Sequence, residues 1–411
     1  MKSRNSILQR IFTIGIVLLP ILSQYRIAGF SLLYLYSFIT VAFFGISVHI
    51  IRISNKYWLY IIYTLFSTIF ALLTLKVMSI SLVLSNIFFM LLILVNMYIL
   101  APEYFDVIKG YKIYTKIIYI ISVILLVQFI LFTVKGIKTA FIIPGLELNY
   151  GGVFNSTEFI QQFLGYQNFR VSSIFIEPTM YAAYILPWIF ISLFNTDRNF
   201  EKDNIIRVLV VTIIMCLSGS SYGILGAAIA WVLFIEVGIW KSGRKGFVFA
   251  VPIILLIAYW VFNLEIVQTQ LVMKMGSLNK LDVASSTSLR LLRGWYCFKS
   301  LHIVNIIFGC GYGILEAFFA QNDISTIYDY STLVDKTFMS SFFKILCQSG
   351  IVGASLYFIP IISVVKQYFK LLPIFICFVY TILTSSTLDM PSYFLQIVFM
   401  FSISSYGKKL K

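Results

Sequence analysis

Ile117-Ile118-Tyr119-Ile120-Ile121-Ser122-Val123-Ile124-Leu125-Leu126-Val127-Gln128-Phe129-Ile130-Leu131-Phe132-Thr133-Val134 runs without a charged residue. Its apolar side chains do not alternate at every second position, so it reads as a helix and not as a barrel strand. At 1.5 Å per residue it reaches about 27 Å, close to the ~30 Å hydrocarbon core of a bilayer. Comparable runs lie near residues 7–23, 29–50, 57–75, 78–100, 179–194, 205–217, 221–239, 247–263, 341–365, 371–388 and 393–406. They predict an all-α integral membrane protein of about twelve transmembrane helices with two long outer loops, the larger between spans nine and ten. The composition agrees: 60% hydrophobic, 11% charged, mean hydropathy +0.93. Residues 1–411 read as a single polytopic domain, with an outer loop at 135–177 and a large outer loop with partial helices at 264–340.

A net charge of +15 would suggest a nucleic-acid partner in a soluble protein. Its distribution argues otherwise. With the N-terminus inside, most basic residues fall in cytoplasmic segments such as Lys109–Lys116 and Lys241–Lys245, while the short outer loops hold only Arg26 and Lys76. This is the positive-inside bias, and it places both termini in the cytoplasm. Nucleic acid is therefore not expected as a partner. The first apolar run lacks a small-residue cleavage site and reads as a retained span. His49 reads as an interfacial residue at the cytoplasmic end of span two.

The polar insert between spans nine and ten holds Ser285-Ser286-Thr287-Ser288-Leu289-Arg290-Leu291-Leu292-Arg293-Gly294-Trp295. In a helix, Ser286, Arg290, Arg293 and Cys297 share one stripe, and Leu291, Trp295, Phe298 and His302 share another. The expectation is a guanidinium face toward ligand and a packing face behind it. Planar guanidinium groups suit phosphate, so a phosphate-bearing lipid is the expected ligand class. Phe308-Gly309-Cys310-Gly311-Tyr312-Gly313 lacks the GxGxxG spacing and reads as a tight turn that lets the backbone approach a ligand or another helix. Cys297 and Cys310 are expected as two packed thiols in preference to a disulfide. No DxD pair, HExxH or GxSxG occurs in the insert, so no metal or other cofactor is expected.

In the other outer loop, a short helix is read at Ser156–Leu164, and Arg170-Val171-Ser172-Ser173-Ile174-Phe175-Ile176-Glu177-Pro178 leads into span six. Pro178 suits the first helical turn and puts Glu177 at the N-cap, near Arg170 and on the outer side. The Leu217-Ser218-Gly219-Ser220-Ser221-Tyr222-Gly223 turn offers hydroxyls for a sugar or small residues for close helix packing.

The Arg170…Glu177-Pro178 segment, the Ser288–Arg293 run, the Phe308–Gly313 turn and Phe342-Phe343-Lys344-Ile345-Leu346-Cys347-Gln348-Ser349-Gly350-Ile351-Val352-Gly353 occur in this order. The ordered set resembles the O-antigen polymerase and ligase superfamily, over roughly Arg170 to Gly353. The resemblance implies a Wzy-type membrane glycosyltransferase in the bacterial inner membrane. Such an enzyme acts at the periplasmic face on undecaprenyl-pyrophosphate-linked oligosaccharides, with a chain-length regulator and a flippase as partners. The ligase branch usually carries a histidine where this chain has Met339, which favours the polymerase branch. The implied roles are Glu177 as general base with Asp335 as the second candidate. Arg290, Arg293 and Arg170 would bind pyrophosphate, and His302 and Tyr312 lie in the substrate-binding set. A repeat-unit flippase or other twelve-span transporter is the rival reading, weakened because residues 1–200 and 201–411 show no mutual repeat.

Overall fold

The computed structural model describes residues 2–47, 57–74, 88, 92–141, 143, 145–148, 164–165, 169–194, 205–242, 286–324, 338–385 and 391–409. His49, Asp335, the span at 247–263, most of the span at 78–100 and all but the last residue of the Ser156–Leu164 helix lie outside the described residues. The fold is mostly helical, with fourteen α-helices among the described residues. They are α1 (Lys2–Leu22), α2 (Leu32–Ser47), α3 (Tyr57–Thr74), α4 (Ala101–Tyr104), α5 (Val107–Lys135), α6 (Pro178–Phe194), α7 (Ile205–Leu217), α8 (Ser221–Ser242), α9 (Ser286–Lys299), α10 (Ile303–Phe308), α11 (Leu315–Gln321), α12 (Ser341–Gln367), α13 (Leu372–Thr384) and α14 (Pro391–Lys409). A π-helical segment, Val95–Leu100, precedes α4. Two compact units account for the chain, one formed by 1–33, 106–275 and 370–377 and the other by 34–105, 276–369 and 378–411.

In the first unit α6 is the buried centre: residues from Tyr181 to Leu193 have almost no exposed surface. Its polar groups are met by neighbours. Trp188 Nε1 donates to Thr115 Oγ1 at 2.9 Å, the Tyr184 hydroxyl donates to Val17 O at 3.0 Å, and the Tyr111 and Ser192 hydroxyls bond at 2.7 Å. Helix α5 starts where Asp106 accepts from Lys109 N and stops at the left-handed cap Gly136, as capping chemistry favours. A three-stranded sheet, missed by the apolar-run reading, joins β1 (Tyr25–Ile27), β2 (Phe30–Ser31) and β3 (Glu147–Leu148) in the order β2-β1-β3. Arg26 pairs with Glu147 at 3.2 Å across it.

In the second unit, apolar helices are joined by buried amides. Asn96 Nδ2 donates to Ser37 O at 3.0 Å and Leu92 O at 2.9 Å, and Gln396 Nε2 donates to Thr381 Oγ1 at 3.0 Å. Tyr57, Tyr98 and Tyr357 form an aromatic cluster, with Tyr57 stacked on Tyr98 and the Tyr98 hydroxyl donating to that of Tyr357 at 2.8 Å.

Among the described residues, α5 and α12 are long and apolar enough to cross a bilayer. Exposed apolar stripes at helical spacing run along α5 (Ile120, Val123, Val127, Ile130, Val134) and α3 (Leu59, Ile62, Phe66, Ile69, Phe70, Leu73). Such surfaces are costly in water and compatible with a membrane protein.

Candidate functional site

Arg170 and Glu177 are carried on one pinned turn of the first unit. The Glu177 carbonyl accepts from Met180 N at 3.1 Å and Tyr181 N at 3.2 Å, so this residue stands at the N-cap of α6 as its place before Pro178 predicts. Behind it Val171, Ser172, Ser173, Phe175 and Ile176 are buried. Ser173 has a φ of 58°, a left-handed conformation that costs a residue with a Cβ about 1–2 kcal/mol. The amide of Gln128 on α5 holds it there: Ser173 N donates to Oε1 at 2.7 Å, and Nε2 donates to Ser173 O at 3.2 Å and Thr139 O at 3.3 Å. Ser173 Oγ donates to Ile121 O at 2.7 Å. On the other side Gln24 Oε1 accepts from Ile176 N at 2.7 Å, and the Tyr25 hydroxyl donates to Ile174 O at 3.0 Å.

The Arg170 guanidinium reaches the Ser218–Ser220 turn, where Nη1 donates to Gly219 O at 3.4 Å. Burial pulls its pKa down from the ordinary value, and the Glu177 carboxylate opposes that shift; an arginine still keeps its charge. The serines of the turn serve their own backbone. Ser218 Oγ donates to Met215 O at 2.7 Å, and Ser220 Oγ accepts from Gly223 N at 3.4 Å. A Cβ on Gly223 would stand 2.8 Å from Ala182 Cβ. Of the two readings of this turn, close packing of α8 on α6 is the one seen.

In the second unit α9 presents its faces in the opposite sense from the sequence expectation. Arg293 and Cys297 are fully buried, Arg290 is half-buried, and Trp295 and Tyr296 are exposed. Arg290 Nη1 donates to Thr384 O at 3.1 Å, its guanidinium lies 5.5 Å from the centre of the Phe338 ring, and its carbonyl accepts from Ser340 N at 2.7 Å. Gly294 is the contact point with α12: a Cβ there would meet Phe343 at 2.7 Å. The inversion has a physical reason. Helical spacing groups the residues of one stripe but leaves open which stripe packs, and here the Thr384 carbonyl and the Phe338 ring receive the Arg290 guanidinium.

The Phe308–Gly313 turn docks on α12, which is broken at Gly350 (φ 64°, ψ −175°). Cys310 N and Gly311 N donate to the carbonyls of Cys347 and Gln348, each at 2.9 Å. The Tyr63 hydroxyl lies 2.8 Å from Phe308 O and 3.0 Å from Ser349 O and bridges them. Contact is backbone to backbone, since a Cβ on Gly309 would sit 2.3 Å from Gln348 O and one on Gly350 the same distance from Ile307 O. The turn thus approaches another helix and completes the carbonyls freed by the helix break. Tyr312 N donates to Thr68 Oγ1 at 2.9 Å. His302 is exposed and caps α10, with Nδ1 accepting from Val304 N at 3.4 Å. Cys297, Cys310 and Cys347 are free thiols in one apolar cluster with Met339 and Phe319.

The chain matches no family model and no curated protein sequence. Arg170 and Glu177 therefore share one turn in the first unit, and Arg290, Arg293, His302 and Tyr312 belong to the second. Gln128, Gln24 and Tyr25 support the first of these turns and were absent from the sequence reading. A lone glutamine inside an apolar run was the only signal that could have flagged Gln128.

Proposed function

We propose that this protein is a twelve-span membrane glycosyltransferase of the bacterial inner membrane, with both termini cytoplasmic. It polymerises undecaprenyl-pyrophosphate-linked oligosaccharide repeat units into O-antigen or capsular polysaccharide at the outer face. The observation that carries the reading is the Arg170–Glu177 turn. A cation and a carboxylate are displayed at a helix start by a segment whose left-handed residue is held by three hydrogen bonds to α5, and backbone strain of this kind clusters at functional sites.

In the proposed reaction a hydroxyl oxygen of the acceptor repeat unit attacks the anomeric carbon of the donor chain. The bond from that carbon to the pyrophosphate oxygen breaks, and pyrophosphate leaves with the electron pair. Glu177 takes the hydroxyl proton, with Asp335 the second candidate. Arg170, on the same turn as Glu177, is the first candidate to bind the leaving group and Arg290 of the second unit the alternative; a preorganised contact aimed at developing charge contributes about 3–4 kcal/mol. Arg293, which has no exposed surface, keeps positive potential behind Arg290. Tyr312 and His302 are assigned to substrate positioning.

The test separates polymerase from flippase. Cells carrying Glu177→Ala or Arg290→Ala, at normal protein abundance, are expected to show surface glycan collapsed to a single repeat on a polysaccharide gel. Loss of all surface repeats, with lipid-linked units accumulating inside, would assign the protein to transport instead.

A further inference from the structure

The turn between α10 and α11 falls in a segment expected as an outer loop, yet it meets α3 and α12 well inside their length. Gly350, on which the turn between them docks, lies nine residues beyond Ser341, or about 14 Å along a helix long enough to span a bilayer. On α3 the same turn meets Tyr63 and Thr68, about 9 and 16 Å from the first residue of a helix roughly 27 Å long. Both measures place the turn near mid-depth. Its hydrogen bonds are also those of a buried backbone: the turn amides and the α12 carbonyls satisfy one another.

The two legs differ in what they expose. On α10 the exposed side chains are Ile303, Val304, Ile307 and Phe308, all apolar. On α11 the exposed set includes Glu316, Ala320 and Gln321, followed by Asn322 and Asp323. A carboxylate at this depth is costly against hydrocarbon and faces water. Irregular backbone within a membrane occurs where it is buried in protein or lines a water-filled cavity.

We propose that Ile303–Gln321 is a re-entrant hairpin entering from the outer side to about the middle of the bilayer, with α10 against lipid acyl chains and α11 lining an aqueous cleft. The partner of the Ile303–Phe308 face is the hydrocarbon of the bilayer itself. This rests on the membrane reading and is independent of the glycosyltransferase chemistry.

Spin labels test it in the full-length protein reconstituted in phosphatidylglycerol–phosphatidylethanolamine vesicles. The five native cysteines are buried, and the unsubstituted protein taken through the labelling gives the background. Labels at Ile303→Cys and Phe308→Cys are expected to relax with dissolved oxygen but not with a water-soluble nickel chelate. Labels at Glu316→Cys and Asp323→Cys are expected to respond to the chelate. The oxygen-to-nickel accessibility ratio should differ at least tenfold between Phe308 and Glu316. Equal ratios, or nickel access at both 303 and 308, would overturn the proposal. Two positions on the α10 leg keep the test decisive if one variant misfolds, and no outcome depends on polymer being made.

Discussion

Gly350→Ala should be among the most damaging single-methyl changes available to this chain, and Gly136→Ala supplies its control. Both glycines have positive φ, 64° and 66°, but a Cβ at Gly136 would meet nothing within 4 Å, whereas one at Gly350 would lie 2.3 Å from Ile307 O and 2.5 Å from Gly309 N. The control therefore carries the backbone term alone, about 1 kcal/mol. At Gly350 the ψ of −175° lies in a region open essentially to glycine only, which costs about 1–3 kcal/mol, and the clash with backbone adds about 1–3 kcal/mol. The sum, roughly 2–6 kcal/mol, is a large fraction of a typical stability of about 5–15 kcal/mol. Denaturant titration of both purified variants in the same detergent, followed by tryptophan fluorescence, reads the difference. A Gly350→Ala protein no less stable than Gly136→Ala would show that the turn is not held against the helix break.

Gln128→Leu is expected to lose about 1–3 kcal/mol in the same titration, because the buried Ser173 N–H is left without its acceptor; a loss below 0.5 kcal/mol would mean that the turn is held without Gln128. Arg290→Lys should abolish most polymer length although its charge is retained, since an ammonium cannot reproduce a planar fork; normal chain length on a gel would reduce Arg290 to an anchor. Alkylation in denaturant without reductant should modify all five cysteines, as expected of free thiols; a mass short by two adducts would reveal a disulfide.

Helix positions were largely legible because long apolar runs leave little choice. Ile205–Leu217 is found where expected, and Ser341–Gln367 ends two residues beyond its expected limit. Glu177 was legible through Pro178, whose ring allows few places other than a first turn. The break at Gly350 was not. Ile345–Tyr357 lies inside the run at 341–365 that reads as one span, and the distant Phe308–Gly313 turn makes the interruption favourable by taking up the carbonyls of Cys347 and Gln348. The orientation of α9 was misread for a related reason. Helical spacing correctly grouped Arg290 with Arg293 and Cys297, but which stripe turns inward depends on whether water or hydrocarbon lies outside. The clamp on Ser173 was hidden by distance, since its partner Gln128 is 45 residues away in sequence.

The turn that completes the break in α12 is made before the helix it completes. During synthesis Cys310 and Gly311 emerge ahead of Cys347 and Gln348, so their amides must wait for these carbonyls until the later helix has formed. Docking of the turn is consequently a late assembly step, and it makes formation of the second unit's broken helix conditional on a segment made earlier in the chain. A chain interrupted before Ser341 would keep the bond from Tyr312 N to Thr68 and leave the Cys310 and Gly311 amides without the carbonyls that they meet in the finished fold.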